Sequence, residues 1–229
     1  MSIGSSMPQR VIGGFTLSSK IRAVRAIAFG VALALVVIAA SFAPASAQDS
    51  NDAMGIAQNV VNQALEILGS NSTPLPQRRR QLRGLIEANF DFAAMSRSAL
   101  GYNWRSLSAD QRAQFTKLFT SFIEVAYLDK IQDYQGQKVH FTGQRSLGDG
   151  YAEVDTQIVQ AGKNPINVNY LLEQKDGSWK VYDVTVEAIS IIANYRNQFN
   201  RIINEKGFDQ LMTELQAKQQ QLASLLGEG

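Results

Sequence analysis

The sequence has no cysteine and only one histidine, His140, among its 229 residues. Without cysteine the chain cannot form disulfides, thiol nucleophiles, zinc–thiolate sites or cysteine-held iron–sulfur clusters. A single histidine excludes a metal site with several histidine ligands and disfavours a histidine-based catalytic triad. The sequence also lacks the phosphate-binding loops, dinucleotide fingerprints, nucleophile elbows and H-E-x-x-H helices of common enzymes. From these absences we expect that the protein is not an enzyme and that it holds no resident metal.

The chain also has little excess charge, with a formal net charge of +2. The four basic residues of the first 47 positions, Arg10, Lys20, Arg22 and Arg25, are not balanced by any acid. The remaining residues carry 18 basic and 20 acidic side chains and are slightly acidic as a group. Nucleic-acid binding would require a basic surface, so we expect no nucleic-acid partner.

The first 47 residues have the pattern of a secretory signal peptide. Lys20, Arg22 and Arg25 precede an apolar run at 26–40, which is shorter than the roughly 20 residues of a membrane-spanning helix. Ala45-Ser46-Ala47 then forms a small-x-small cleavage site. An uncleaved membrane anchor is the alternative. We predict a cleaved signal peptide at 1–47, export, and one domain at 48–229.

Hydrophobic periodicity predicts helices first, then strands, then helices again. Apolar residues at steps of three and four, with caps at their ends, predict helices at 52–69, 77–89, 92–100, 108–134, 190–206 and 208–226. Alternating apolar and polar residues predict strands at 138–145, 151–160, 166–174 and 178–187. The short connections between these strands favour antiparallel neighbours. The expected fold is α+β, with helices packed on one face of a four-stranded antiparallel sheet.

Phenylalanines share one wide face of the helix predicted at 108–134. Phe115, Phe119 and Phe122 lie at spacings that bring their side chains together. This face is either ordinary core or one wall of an apolar cavity, and the sequence leaves both interpretations open.

Two carboxylates at the end of the last predicted strand are the strongest candidates for acid–base chemistry. Asp183 and Glu187 would lie about 13 Å apart along a strand, which is too far for them to share a proton. Helix capping or an ion pair with Arg196 is the favoured role. His140 falls on the polar side of its strand and is expected at the surface.

Two longer stretches resemble a known family. They comprise F-D-F-A-A-M-S-R at 90–97, L-G at 100–101, W-R at 104–105 and S-A-D-Q at 108–111, then W-K-V-Y-D-V at 179–184, V-E at 186–187 and N-Y-R-N-Q-F at 194–199. Together with the signal peptide, they resemble the MlaC, or toluene-tolerance, family of periplasmic phospholipid-binding proteins, over roughly residues 52–220. Two positions depart from the family: Ala188 stands where glycine is usual, and Tyr102 where arginine often follows L-G. These departures suggest the hopanoid-associated branch of the family.

The resemblance implies a periplasmic phospholipid carrier that maintains outer-membrane lipid asymmetry. Its partners would be an inner-membrane ABC transporter complex with an MCE-domain protein and an outer-membrane lipoprotein complex. Phospholipid would be the cargo, and no cofactor is expected. The alternatives are a carrier of hopanoid or another apolar lipid, a non-catalytic envelope adaptor with a solid core, and an envelope enzyme using Asp183 or Glu187.

On this interpretation the acyl chains enter an apolar cavity between sheet and helices. The residues expected to bind lipid are Phe92, Met95, Phe119, Phe122, Val139, Phe141, Val154, Ile158, Val168, Tyr170, Val181 and Ile192. Each of them could instead be core alone. Arg97, Arg105 and Arg196 are candidates for the pocket mouth or for docking to partners, whereas Trp179, Tyr182 and Tyr195 suit core packing.

Overall fold

The computed structural model describes residues 52–128 and 134–226. The predicted signal peptide at 1–47 lies outside the described residues, as does the predicted continuation of the fourth helix at 129–133. Within the described ranges, no helix has the length and hydropathy needed to cross a bilayer.

All six predicted helices are present in the described residues. They are α1 (Ala53–Gly69), α2 (Leu75–Asn89), α3 (Phe92–Leu100), α4 (Ala109–Leu128), α5 (Ile191–Lys206) and α6 (Phe208–Leu225), with a 3₁₀ turn at Gly101–Ser106. Helix α2 begins two residues before the predicted start, because Pro76 is compatible with the first helical turn. The predicted caps are confirmed: Asp91 accepts from the Ala94 N–H at 2.9 Å, and Ser190 from the Ala193 N–H at 2.8 Å.

The sheet has five antiparallel strands, and the prediction of four was wrong. They are β1 (Lys138–Gly148), β2 (Tyr151–Val159), β3 (Ile166–Lys175), β4 (Ser178–Val186) and β5 (Ile189–Ser190), paired in that order. The additional strand, β5, pairs with Thr185 and Val186 of β4. Two residues show no alternation, so periodicity could not reveal this strand. The chain reverses into it through Glu187 and Ala188, which have φ angles of 48° and 62°.

Strand β4 contains a bulge that changes which of its residues face the core. Leu171 of β3 lies opposite Asp183, but its neighbour Leu172 lies opposite Val181, so Tyr182 is the extra residue. Val181 and Val184 are both buried in the same core cluster. They are three positions apart, a spacing that places residues of a regular strand on opposite faces. The bulge therefore explains why both alternating sets of this strand contain apolar residues.

The core has a sheet part and a helical part. Helix α1 packs Ala53, Met54 and Ala57 against the buried face of the sheet. The helical part contains Phe115, which stacks on Phe119 at 5.4 Å and meets Phe199 edge-on at 5.8 Å. Aromatic pairs at such separations add to the stabilisation from buried area. These rings are fully buried, so they belong to a packed core.

Candidate functional site

An apolar pocket of about 180 Å³ lies between the sheet and the first two helices. Helices α1 and α2 form one wall, and β3, β4, α4 and the start of α5 form the others. Most of the lining side chains are aliphatic. Such a wall offers favourable contacts to hydrocarbon and little to a polar ligand.

Helix α1 supplies its face of the pocket through simple helical spacing. Ile56, Val60, Ala64 and Leu68 recur at steps of four, and all four line the pocket. The apolar spacing that predicts a helix at 52–69 includes these residues, but none of them was among the residues expected to bind lipid. The stripe runs along the whole length of α1, and this length was the one signal in the sequence that the helix could line a pocket as well as pack in the core.

The opposite wall depends on the bulge in β4. Val181 precedes the bulge and Val184 follows it, and both line the pocket next to Tyr170 and Leu172 of β3. In a regular strand, residues separated by three positions point to opposite faces. The bulge therefore brings both valines to the pocket.

Few polar side chains interrupt the apolar wall, and most have protein partners. The Asn89 amide donates to the Leu85 carbonyl at 2.8 Å, and a Glu124 oxygen lies 3.3 Å from Nε of Arg83. Burial, followed by the charge and hydrogen bond of Tyr195, holds the pKa of Tyr127 well above its ordinary value. Burial raises the pKa of Tyr170 to about 12. Both tyrosines on the wall are therefore neutral at physiological pH.

Comparison with known proteins identifies the family. The family model described as MlaC protein matches residues 58–217, which is most of the chain. The chain belongs to the MlaC family. It is 28% identical over 169 residues to the intermembrane phospholipid transport system binding protein MlaC of Haemophilus influenzae, covering 69% of this chain and 78% of that protein.

A solved structure shares the MlaC-family fold. It is a phospholipid-binding protein from Ralstonia solanacearum in complex with a phospholipid, matched with a TM-score of 0.68 and 23% identity. The match covers 75% of this chain and 99% of that one. The likeness shows that the two chains share a mixed fold of helices and antiparallel sheet.

Four of the residues expected to bind lipid in this MlaC-family chain line the pocket. They are Met95, Tyr170, Val181 and Ile192. The other expected residues lie outside the pocket wall. Phe119 and Phe122 are in the helical core, Val154, Ile158 and Val168 are in the sheet core, and Phe92, Val139 and Phe141 are partly buried beside these clusters.

None of the three arginines considered for the mouth lines the pocket. Arg196 donates from Nε to the Ser98 carbonyl at 2.7 Å and packs its side chain beside Gly101, so it ties α5 to α3. Arg97 and Arg105 are exposed on α3 and on the 3₁₀ turn. These positions leave Arg97 and Arg105 accessible to a partner.

The candidate acid–base pair has structural partners. Asp183 accepts hydrogen bonds from the Ser190 hydroxyl at 2.5 Å and from the N–H groups of Val184 and Ile192. Glu187 accepts from the N–H of Asn167 at 2.5 Å and is exposed. Neither carboxylate lines the pocket. Across 52–128 and 134–226, no group of acidic and histidine side chains is arranged to hold a metal ion.

Proposed function

We propose that this protein carries phospholipid through the periplasm, with acyl-chain carbon held in the pocket between α1, α2 and the sheet. The supporting observation is an apolar pocket between sheet and helices in a chain of the MlaC family. Burial of each CH₂ group contributes about 0.8 kcal/mol, so even part of an acyl chain gains several kcal/mol there. A head group that remains in water avoids the cost of desolvation.

The carrier takes lipid between the inner and outer membranes and so maintains the lipid asymmetry of the outer membrane. It exchanges cargo with an inner-membrane ABC transporter complex that contains an MCE-domain protein, and with an outer-membrane lipoprotein complex. The name of the Haemophilus influenzae relative, an intermembrane phospholipid transport binding protein, supports this role. The signal-peptide pattern supports a periplasmic location. The exposed Arg97 and Arg105 are the proposed docking charges.

Lipid uptake requires the pocket to widen. About 180 Å³ is below the roughly 300–1,000 Å³ typical of ligand pockets, so the present volume holds only part of a lipid. Helices α1 and α2 are the proposed moving wall. On α1, the Met54 N–H donates to the Gln144 side chain at 2.6 Å. On α2, Arg79 donates to the Leu226 carbonyl at 2.7 Å, and the partly buried Arg83 is paired with Glu124. Opening the wall breaks these contacts, and burial of acyl-chain carbon offsets their cost.

The lipid content of the purified protein tests the proposal. Protein isolated from the periplasm should yield phospholipid on organic extraction, identified by thin-layer chromatography and mass spectrometry. Its N-terminal residue should be Gln48. Repeated purification without lipid, together with no uptake from liposomes, would contradict the carrier role. Hopanoid as the extracted species would instead support the alternative cargo.

A further inference from the structure

Tyr170 is one of four sheet residues that line the pocket. In the middle of β3 it pairs with Val154 of β2 and Val184 of β4, both of which are buried. Tyr170 is partly buried, and its side chain keeps some accessible surface where it lines the pocket. The tyrosine is therefore partly enclosed by the fold and still open to a ligand.

The Tyr170 hydroxyl differs from the other polar groups of the wall. The Tyr127 hydroxyl interacts electrostatically with Tyr195, the Asn89 amide donates to a carbonyl of its own helix, and Glu124 is paired with Arg83. Among the described residues the Tyr170 hydroxyl has no hydrogen-bond partner, and its pKa is raised by burial alone. Its oxygen is not among the fully buried polar atoms that lack a partner, so it keeps accessible surface and is available to a ligand or to water.

We propose that Tyr170 determines which lipids the pocket accepts, by donating its hydroxyl hydrogen to an ester carbonyl oxygen of a bound diacyl lipid. This inference rests on the proposed lipid-carrier function and specifies its cargo. The ester carbonyls are the strong hydrogen-bond acceptors nearest the acyl chains, whereas the chains themselves have none. The proposal requires the bound lipid to lie with one ester group within hydrogen-bond reach of this hydroxyl, while the head group stays in water.

A competition between two lipids tests this proposal. Delipidated protein is incubated with vesicles containing equal amounts of a diacyl phosphatidylethanolamine and its dialkyl ether analogue, matched in head group and chain length. The ether analogue lacks both carbonyls, so the bound ratio measures their contribution. We expect wild type to favour the diacyl lipid by about 3- to 10-fold, the range for one neutral hydrogen bond. Tyr170→Phe should bring the ratio close to one.

Two controls separate the contribution of the Tyr170 hydroxyl to lipid preference from effects of the substitution on the fold. Tyr182→Phe removes a hydroxyl outside the pocket, from a ring that meets Tyr151 edge-on at 5.7 Å, and should keep the wild-type ratio. Lipid-free Tyr170→Phe should melt at the same temperature as wild type or above it, because no protein hydrogen bond is lost.

Each contrary result identifies what has failed. A ratio unchanged by Tyr170→Phe, a wild-type ratio near one, or a large loss of stability in lipid-free Tyr170→Phe would overturn the role of the hydroxyl and leave the carrier function intact. Failure of the wild-type protein to load either lipid would overturn the carrier function itself.

Discussion

The carboxylate of Asp183 accepts a hydrogen bond from the hydroxyl of Ser190 at 2.5 Å. The same hydroxyl oxygen accepts from the N–H of Ala193, and the second carboxylate oxygen of Asp183 accepts from the N–H of Ile192 at 3.2 Å. These bonds satisfy N–H groups in the first turn of α5 that have no partner within the helix. Ile192 lines the pocket, so this cap also positions part of the pocket wall.

Asp183→Asn should lower the free energy of unfolding by about 1–2 kcal/mol, because the amide nitrogen of asparagine cannot accept the hydrogen bonds that one carboxyl oxygen accepts, which leaves a donor of the cap without a partner. The folded variant should still load lipid, since Asp183 does not line the pocket. Urea denaturation and the lipid content of the purified variant measure the two effects. Asp149→Asn, in an exposed turn, is the control and should change stability by less than about 0.5 kcal/mol. A folded variant that loads lipid but loses a hydrolytic activity of the wild type would restore the enzyme hypothesis.

The stability difference between wild type and Asp183→Asn should depend on pH. Burial raises the pKa of Asp183 above its ordinary value of 3.8, and the hydrogen bonds from Ser190, Ile192 and Val184 offset this only in part. Because the folded protein binds this proton more tightly than the unfolded chain, the stability contributed by its titration is greatest below pH 3.8. That contribution is lost as the pH rises through the raised pKa. The advantage of wild type should therefore shrink from acid toward neutral pH, and an advantage that grows would contradict the sign of the shift.

Ala64→Trp should block lipid uptake with little loss of stability. Ala64 lies on the α1 wall, and an indole there can occupy pocket volume that a packed core would not offer. Bound lipid should fall several-fold, as measured by mass spectrometry. The melting temperature of the lipid-free protein should change by less than about 3 °C, which corresponds to roughly 1 kcal/mol in a domain of this size.

Val154→Trp is the matched control for overpacking. Val154 is fully buried in the sheet core and lies outside the pocket wall. Added bulk there should cost about 1–3 kcal/mol or more through strain. If Ala64→Trp destabilised the protein as strongly as Val154→Trp while retaining full lipid, α1 would be ordinary core and the proposed pocket would be wrong.

Ala188→Gly should stabilise the protein by about 1 kcal/mol. Ala188 has a φ of 62°, a left-handed conformation in which a Cβ atom is unfavourable and glycine is not. Glycine adopts this conformation without a steric penalty, so the substitution removes strain from the reversal into β5. Thermal unfolding measures the gain. Ala193→Gly, inside α5, should instead lose about 1 kcal/mol, and a similar loss at both positions would contradict strain at Ala188.

The sequence predicted the helices and the long strands well, because their signals are local. Apolar spacing and caps such as Asp91 and Ser190 act within one or two turns, and the structure confirms these caps. Strand β5 was missed because two residues carry no periodicity. The bulge at Tyr182 was visible only as a strand that is apolar on both faces, since its cause is the pairing with β3.

The site was less predictable than the fold. Core and pocket walls use the same residue types, so alternation could place Val154 and Val168 inward without showing that they pack away from the pocket. Whether an inward side chain meets protein or empty space depends on where distant helices lie. The positions of α1 and α2 over the sheet decide this, and their amphipathic patterns fix only which side is buried.

The pocket joins segments that lie far apart in the sequence. Ile56, near the start of α1, and Ile192, near the start of α5, line the same space, with most of the sequence between them. A ligand held there contacts segments that come together only when the chain is fully folded. Its binding free energy is then coupled to global unfolding, and a loaded carrier resists denaturation by an amount set by cargo affinity and concentration. Handing the cargo over therefore returns the protein to its less stable form, which makes the empty carrier the species most exposed to proteolysis.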